Sequence, residues 1–503
     1  TDADGTMEFN AWGGTVNLTS LSTASDAILI EGRQVGSGAA DYGIWGGNDG
    51  TSFTAPGGVI IRADHISHGL EATISTSGQI VLEPQGTAFR TSAASTNFVP
   101  KFGADDDLKF TGNPTGLRVG SASNSNTIDI VASSSMNLSA EFIGNGFYIS
   151  NGVKLTNTAA GADFVFKSKT LIDIADGNST TFTDIQTNNG DIVMWANAYD
   201  GGSGYFLLGI YAELNTANGV SSKTGSGGGR VTIGGGSAVD ADGHPTGPVP
   251  GANVAGRLYA LWLEDNSKIH TGGGLVDITI SSSQAAVAAL IEPSSEIWSG
   301  TGRIDVTINQ GYATHAARMF SSSWISAATA SPAISIATRV TGNYYNIYND
   351  ATNPFTLASI ASTGGGISIS AITPTATNTT LFMYGWNMLS RVGSIDISTS
   401  GVINWNTDKA RALGATVSSD VLSSSANITI RSAQLLDTTA NNLSTISTSG
   451  NVTIAPIGNN FTGDVQTQFN VFASDFTFGN LATVDSSSFT VKVSGDVTAN
   501  GAI

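Results

Sequence analysis

Few side chains here could do chemistry, and their spacing decides what kind. The 503 residues include no cysteine and five histidines, which removes thiol nucleophiles, thiolate metal sites and a disulfide framework. His65 and His68 lie three apart; on a strand such residues face opposite ways and cannot share a metal. Carboxylates remain. Two converging on one face could cleave a glycosidic bond, and one beside Ca²⁺ and a basic residue could drive an elimination. The densest run is Asp105-Asp106-Asp107, with Lys101 and Lys109 beside it. Adjacent strand residues point to opposite faces, so this run reads as a solvated loop and not as a catalytic pair. Asp2-Ala-Asp4-Gly5 and Asp240-Ala-Asp242-Gly243 alternate carboxylates ahead of a turn, yet both lack the distal Glu of a complete Ca²⁺ loop. Asp2, Asp4, Asp240 and Asp242 are therefore the Ca²⁺ candidates, and polar turns are the simpler reading.

Gly225 to Gly236 is glycine-rich but lacks the Lys and the helix of a phosphate loop. Trp195, Trp262, Trp298, Trp324 and Trp386 could stack on sugar rings. Trp45 and Tyr344 are the ligand-contact candidates, because each lies in a polar loop, whereas Trp405 falls at an inward repeat position. These residues give no catalytic set and no resident cofactor beyond the Ca²⁺ candidates. The expectation is a protein that is not an enzyme.

Charge narrows the partners. The net charge is −18 with a pI near 4.5, and only 12% of residues are charged. Nothing could neutralise a row of phosphates, so nucleic acid is excluded as a partner. The negative charge reads as a sparse solubilising film. No run is long and apolar enough to insert in a bilayer as a helix. The chain begins at Thr1, which fits a targeting peptide already removed.

What must position any site is one short phrase. Ile74-Ser-Thr-Ser-Gly78 recurs at Ile397 to Gly401 and Ile446 to Gly450, each time followed by apolar residues two and four places beyond the glycine. Looser copies, with one more residue before the glycine, start at Ile185, Ile269, Ile297 and Ile360. Alternation at period two marks a strand with one buried face. A glycine ahead of it supplies a φ > 0 bend. The phrase thus reads as strand, corner, strand, a unit too small to bury its apolar row except by stacking on its own kind.

The stacking can be followed along the chain. Val276-Asp-Ile278-Thr-Ile280 and Ile304-Asp-Val306-Thr-Ile308 are nearly one strand written twice, and Ile334, Ile367, Ile395, Ile428 and Val452 open later versions. Helical signals are almost absent. Gln284 to Ile291 and Ala313 to Phe320 are Ala-rich but flanked by β-branched residues, which favours strands. The predicted fold is all-β, a right-handed parallel β-helix with inserted loops, running over 1–503 as a single continuous β-solenoid without a domain boundary. At about 25 residues per coil it would make about twenty coils and a rod of roughly 95 Å. Ile80, Ile192, Val276, Ile304, Ile369, Ile395, Ile428 and Val452 should form the buried row.

The recurring Gly-[Asn/Asp/Arg/Ser]-[Val/Ile]-[Thr/Asp]-Ile strands after Ser/Thr-rich corners resemble the repeats of filamentous-haemagglutinin-like exoproteins. The likeness is spread over the chain and clearest from Gly274 to Gly501. The Asn-Pro-Asn-Leu motif of that family's secretion domain does not occur; Asn113-Pro114 and Asn353-Pro354 are the only Asn-Pro pairs. The resemblance implies a secreted β-helical adhesin at the surface of a Gram-negative bacterium, touching a host surface or extracellular polysaccharide. A carbohydrate-active β-helical enzyme and a lattice-binding solenoid with a threonine ladder are the alternatives. The enzyme would need a groove with convergent acids, and the ladder a register that the loops should break. Both chain ends look like strands without caps, so head-to-tail self-association is expected. Its contacts would involve Met7, Phe9, Val16 and Leu18 at one end and Val491, Val493, Val497 and Ile503 at the other.

Overall fold

Period-two alternation gives each strand an apolar side, and in the computed structural model that side faces the inside of a parallel β-solenoid. The structure describes residues 7–12, 15–16, 20–22, 27–33, 44–45, 52–66, 72–89, 108–199, 203–219, 225–251, 259–282, 287–311, 315–319, 323–340, 345–348, 359–374, 379–382, 387–404, 420–423, 426–436, 444–458, 461, 469–481, 490–493 and 497–501. Among these residues there is no helix. The chain forms two compact units, Thr1–Val220 with Gly228–Pro245, and Ser221–Gly227 with Thr246–Ile503.

In the second unit a coil has three strands, as in Val276–Ser282, Val287–Ile291 and Glu296–Trp298, after which Ile304–Gln310 begins the next coil. Val276, Ile304, Ile334, Ile367, Ile395, Ile428, Val452, Phe476 and Val497 occupy one register position on successive coils of the first face. All but Val497 are buried. A second column runs beside it through Ile278, Val306, Ile336, Ile369, Ile397, Ile430, Ile454 and Phe478. Ile369 is thus buried as expected, but in this neighbouring column. Each such side chain, fully covered, contributes about 1.5–3 kcal/mol. The two Ala-rich stretches form strands Val287–Ile291 and His315–Met319.

The first unit repeats the plan. Ile28, Val59, Ile80, Leu117, Ala140, Phe164, Ile192 and Val231 stack in register and are buried. Phe142 and Phe166 are direct ladder partners with rings stacked at 4.8 Å. Outward positions of the same face carry alternating charge. Glu31 pairs with Arg62, Arg62 with Glu83 at 2.7 Å, Glu83 with Arg118 at 3.2 Å, and Glu141 with Lys167 at 2.6 Å. Lys167 then lies 4.9 Å from the Trp195 ring centroid. Exposed pairs like these contribute about 0.2–1 kcal/mol each.

The corners differ from expectation in two ways. First, the identical phrase turns two different corners. Ile74 and Ile446 lie on third-face strands Ala72–Ser75 and Ser444–Ser447, whereas Ile397 lies on the first-face strand Ile395–Thr399. In each copy the buried Thr, at 76, 399 or 448, accepts from the glycine N–H two residues on, at 2.9, 3.1 and 2.9 Å. Such a local turn competes with the extended ladder and ends the strand. Second, the phrase glycines lie outside the left-handed region. A Cβ on Gly302 would sit 1.9 Å from the Gly274 carbonyl oxygen, and one on Gly78 2.5 Å from that of Gly57. These glycines let successive coils touch, and the expected φ > 0 role is corrected.

The looser copies use a hydroxyl differently. Thr187, Thr271, Ser299 and Ser362 donate to the carbonyl of the glycine three residues on, at 2.5, 2.5, 2.7 and 2.6 Å. All four are buried, and Ser326, also buried, donates to the Gly302 carbonyl at 2.6 Å. They satisfy corner carbonyls that water cannot reach.

Candidate functional site

The residues singled out in the sequence do not come together. Asp2, Asp4, Asp105 to Asp107, Leu18, His68, Tyr344, Trp386, Trp405 and Ile503 lie outside the described residues. Trp45 falls on a short strand, Ile44–Trp45, between Thr15–Val16 and His65–Ile66, not in the loop assigned to it. Met7 and Phe9 are on strand Met7–Trp12, and Val491 and Val493 on strand Thr490–Val493. Trp324 is 1% exposed and belongs to the core. Among the described residues no three His, Asp or Glu side chains are grouped to hold a metal ion.

Asp240 and Asp242 form a polar turn. Asp240 Oδ1 accepts from the backbone N–H groups of Asp242 and His244 at 3.0 and 2.9 Å, and Oδ2 accepts from Arg230 at 2.6 Å. The turn belongs to a larger clasp. His244, 7% exposed, has Nε2 3.0 Å from Asp191 Oδ2 and Nδ1 2.9 Å from Arg230 Nη1. A guanidinium only donates, so Nδ1 accepts and the proton sits on Nε2, directed at Asp191. Asp191 Oδ1 accepts from the Arg230 backbone N–H at 2.6 Å, and Asp163 Oδ1 from that of Asp191 at 2.7 Å.

The electrostatics follow from that stacking. Burial would push the Asp191 carboxyl up, but hydrogen bonds from His244 and the Arg230 backbone hold it below the usual range. Burial likewise works against Asp240 and is outweighed by Arg230. Asp163 is pushed up by burial, with the charge of Asp191 adding to it. The clasp fixes the hairpin after strand Val231–Val239 onto the coils before it. Asp163, Asp191 and Arg230 each directly precede the first-face strand residues Phe164, Ile192 and Val231, which stack in register. That shared repeat position was the signal the sequence offered.

No family model, no curated protein and no solved structure matches the chain.

The second cluster lies at a corner of the second unit. Tyr259 and Trp262 have ring centroids 5.1 Å apart at 57°. One coil further, the Glu292 backbone N–H donates to the Leu263 carbonyl at 2.8 Å and the Asn266 N–H to the Pro293 carbonyl at 3.2 Å, which sets Glu292 beside this corner. Burial raises Asp265; burial together with the charge of Asp265 raises Glu292. Asn266 and Ser294, at φ 59° and 60°, turn this corner on the two coils. Just beyond it His270 stacks on Trp298 at 4.3 Å and approaches Glu296 at 3.3 Å.

The expected break in register does not occur. Asp396, Thr429, Thr453 and Thr477 hold one outward register position through four coils. The loops are absorbed at the corners. The position two residues along reads Arg431, Ala455 and Gly479, so among these described residues no second threonine column runs beside it.

Proposed function

We propose that the chain is an extracellular structural and adhesive β-solenoid, the subunit of a Gram-negative surface fibre built by head-to-tail association. The parallel solenoid carries this reading, because its inward columns stack like on like from Val276 to Phe476, and the exoprotein-like repeats support it. Val497 continues the inward column of Val452 and Phe476, which are 0% and 4% exposed, yet it is itself 58% exposed. Its strand, Val497–Gly501, pairs among the described residues along one edge, with Phe476–Leu481. An inward apolar side chain and an open backbone edge both gain from one more coil. Association of copies by the same strand stacking is a heterologous contact that does not close and therefore propagates.

The test is Val497→Asp, examined by sedimentation velocity and electron microscopy beside the native protein. The native chain should form particles with a constant axial repeat. The variant should keep the β circular dichroism spectrum and sediment as single molecules. Fibres of unchanged repeat from the variant, or a native protein that stays monomeric at every concentration, would overturn the proposal.

A further inference from the structure

The corner at Trp262 presents three things that no structural role uses up. Tyr259 and Trp262 form an open wedge, 57° between rings at 5.1 Å, and both are partly exposed on the outer side of the coil. One coil further, Glu292 sits beside that wedge, its backbone N–H donating to the Leu263 carbonyl at 2.8 Å, next to the Trp262 strand position. Asp265 Oδ1 is buried without a hydrogen-bond partner, an arrangement that costs stability unless a donor reaches it. Burial and the charge of Asp265 both push the Glu292 carboxyl up, and burial does the same to Asp265.

Each simpler ligand would satisfy part of this. A metal ion needs more ligands than the described residues of the corner bring together. A neutral sugar would stack on the rings and leave the carboxyl repulsion unrelieved. An alkylamine would relieve the repulsion and leave the wedge empty. A ring bearing an ammonium group does both, because the aromatic faces take the ring and its cation while the carboxylates take the charged N–H donors. We infer that the corner formed by Tyr259, Trp262, Asp265 and Glu292 binds an amino sugar with a free amine, as part of a cationic polysaccharide. The site does not depend on fibre formation, since Val497 lies on a strand that takes no part in the corner.

The probe is a fully deacetylated glucosamine oligomer, with the N-acetylated oligomer of equal length as comparison, titrated calorimetrically into the native chain and into Val497→Asp. Saturable binding of the deacetylated oligomer to both proteins is expected, with at least a tenfold preference over the acetylated one. Trp262→Ala and Glu292→Gln should each weaken it about tenfold or more, and Asp265→Asn, the mildest change, should weaken it measurably. Glu31→Gln removes the same charge in the other unit and should leave it unchanged. Affinity should fall as the pH drops through the carboxyl range. Equal binding of both oligomers, equal loss with Glu31→Gln, or no binding at all overturns the inference.

Discussion

Replacing Gly302 with Ala separates two reasons for a glycine at a corner. The residue lies outside the left-handed region, so the backbone itself would accept a side chain. On conformational entropy alone, Gly→Ala at such a position stabilises by about 0.4–1 kcal/mol. The neighbouring coil says otherwise. The new Cβ would lie 1.9 Å from the Gly274 oxygen and 2.4 Å from its carbonyl carbon, where contact at ease requires about 3.5 Å. Relief means moving two coils apart by about 1.5 Å, near a third of the ~4.8 Å that separates strands. Three hydrogen bonds meet at this residue: the Ser299 hydroxyl at 2.7 Å and the Ser326 hydroxyl at 2.6 Å to its carbonyl, and its own N–H to Ser299 at 2.9 Å. Overpacking costs about 1–3 kcal/mol and each stretched bond about 1 kcal/mol, so a loss of about 3–5 kcal/mol is expected.

Urea denaturation followed by tryptophan fluorescence, with hydrogen exchange at the Ile304 and Ile334 amides, reads that loss locally. Gly458 is the control, since a Cβ there meets nothing within 4 Å; Gly458→Ala should be neutral or slightly stabilising. If Gly302→Ala proves as stable as Gly458→Ala, close coil contact is not what the corner glycines provide.

Ile304→Asp places an unpaired charge between Val276 and Ile334, all three 0% exposed, and should cost upward of about 3 kcal/mol in the urea midpoint. A midpoint within error of the native protein would contradict the inward column. The two stacked aspartates should show opposite pH behaviour. Asp191 has a depressed folded pKa, so its contribution is present above the unfolded value of about 3.9 and is lost as pH falls through the folded value. Asp191→Asn should flatten the acid limb of stability against pH. Asp163 has a raised folded pKa, so its ionised form weakens the native state and stability recovers as pH falls through that value. Asp163→Asn keeps the acceptor for the Asp191 N–H and should raise stability at neutral pH. Urea midpoints measured from about pH 3 to pH 7 check both signs.

Much of the fold was legible because period two assigns a face without reference to anything distant. The strands at Val276, Ile304, Ile395 and Val452 could be aligned by eye, and their side chains stack as aligned. The candidate sites were not legible. His244 and Asp191 meet across a whole inserted segment, and Asp265 reaches Glu292 one coil away. No local spacing marks either pair, because what joins them is the length of chain consumed by each coil.

By itself, then, the sequence determined the strand-corner-strand unit, the inward residues and the absence of thiol chemistry, since these depend on side-chain alternation and composition. Tertiary structure decided which corner each phrase turns. Ile-Ser-Thr-Ser-Gly ends a third-face strand at Ile74 and a first-face strand at Ile397 with the same threonine-to-glycine hydrogen bond. It also decided why the glycines are there, because a clash with the carbonyl of another coil exists only once the coils are stacked. Ladder partners are 28 residues apart at Val276 and Ile304 but 33 apart at Ile334 and Ile367. A backbone ladder fixes register by hydrogen bonding from one strand to the next, and loops of unequal length are pushed out at the corners without disturbing it.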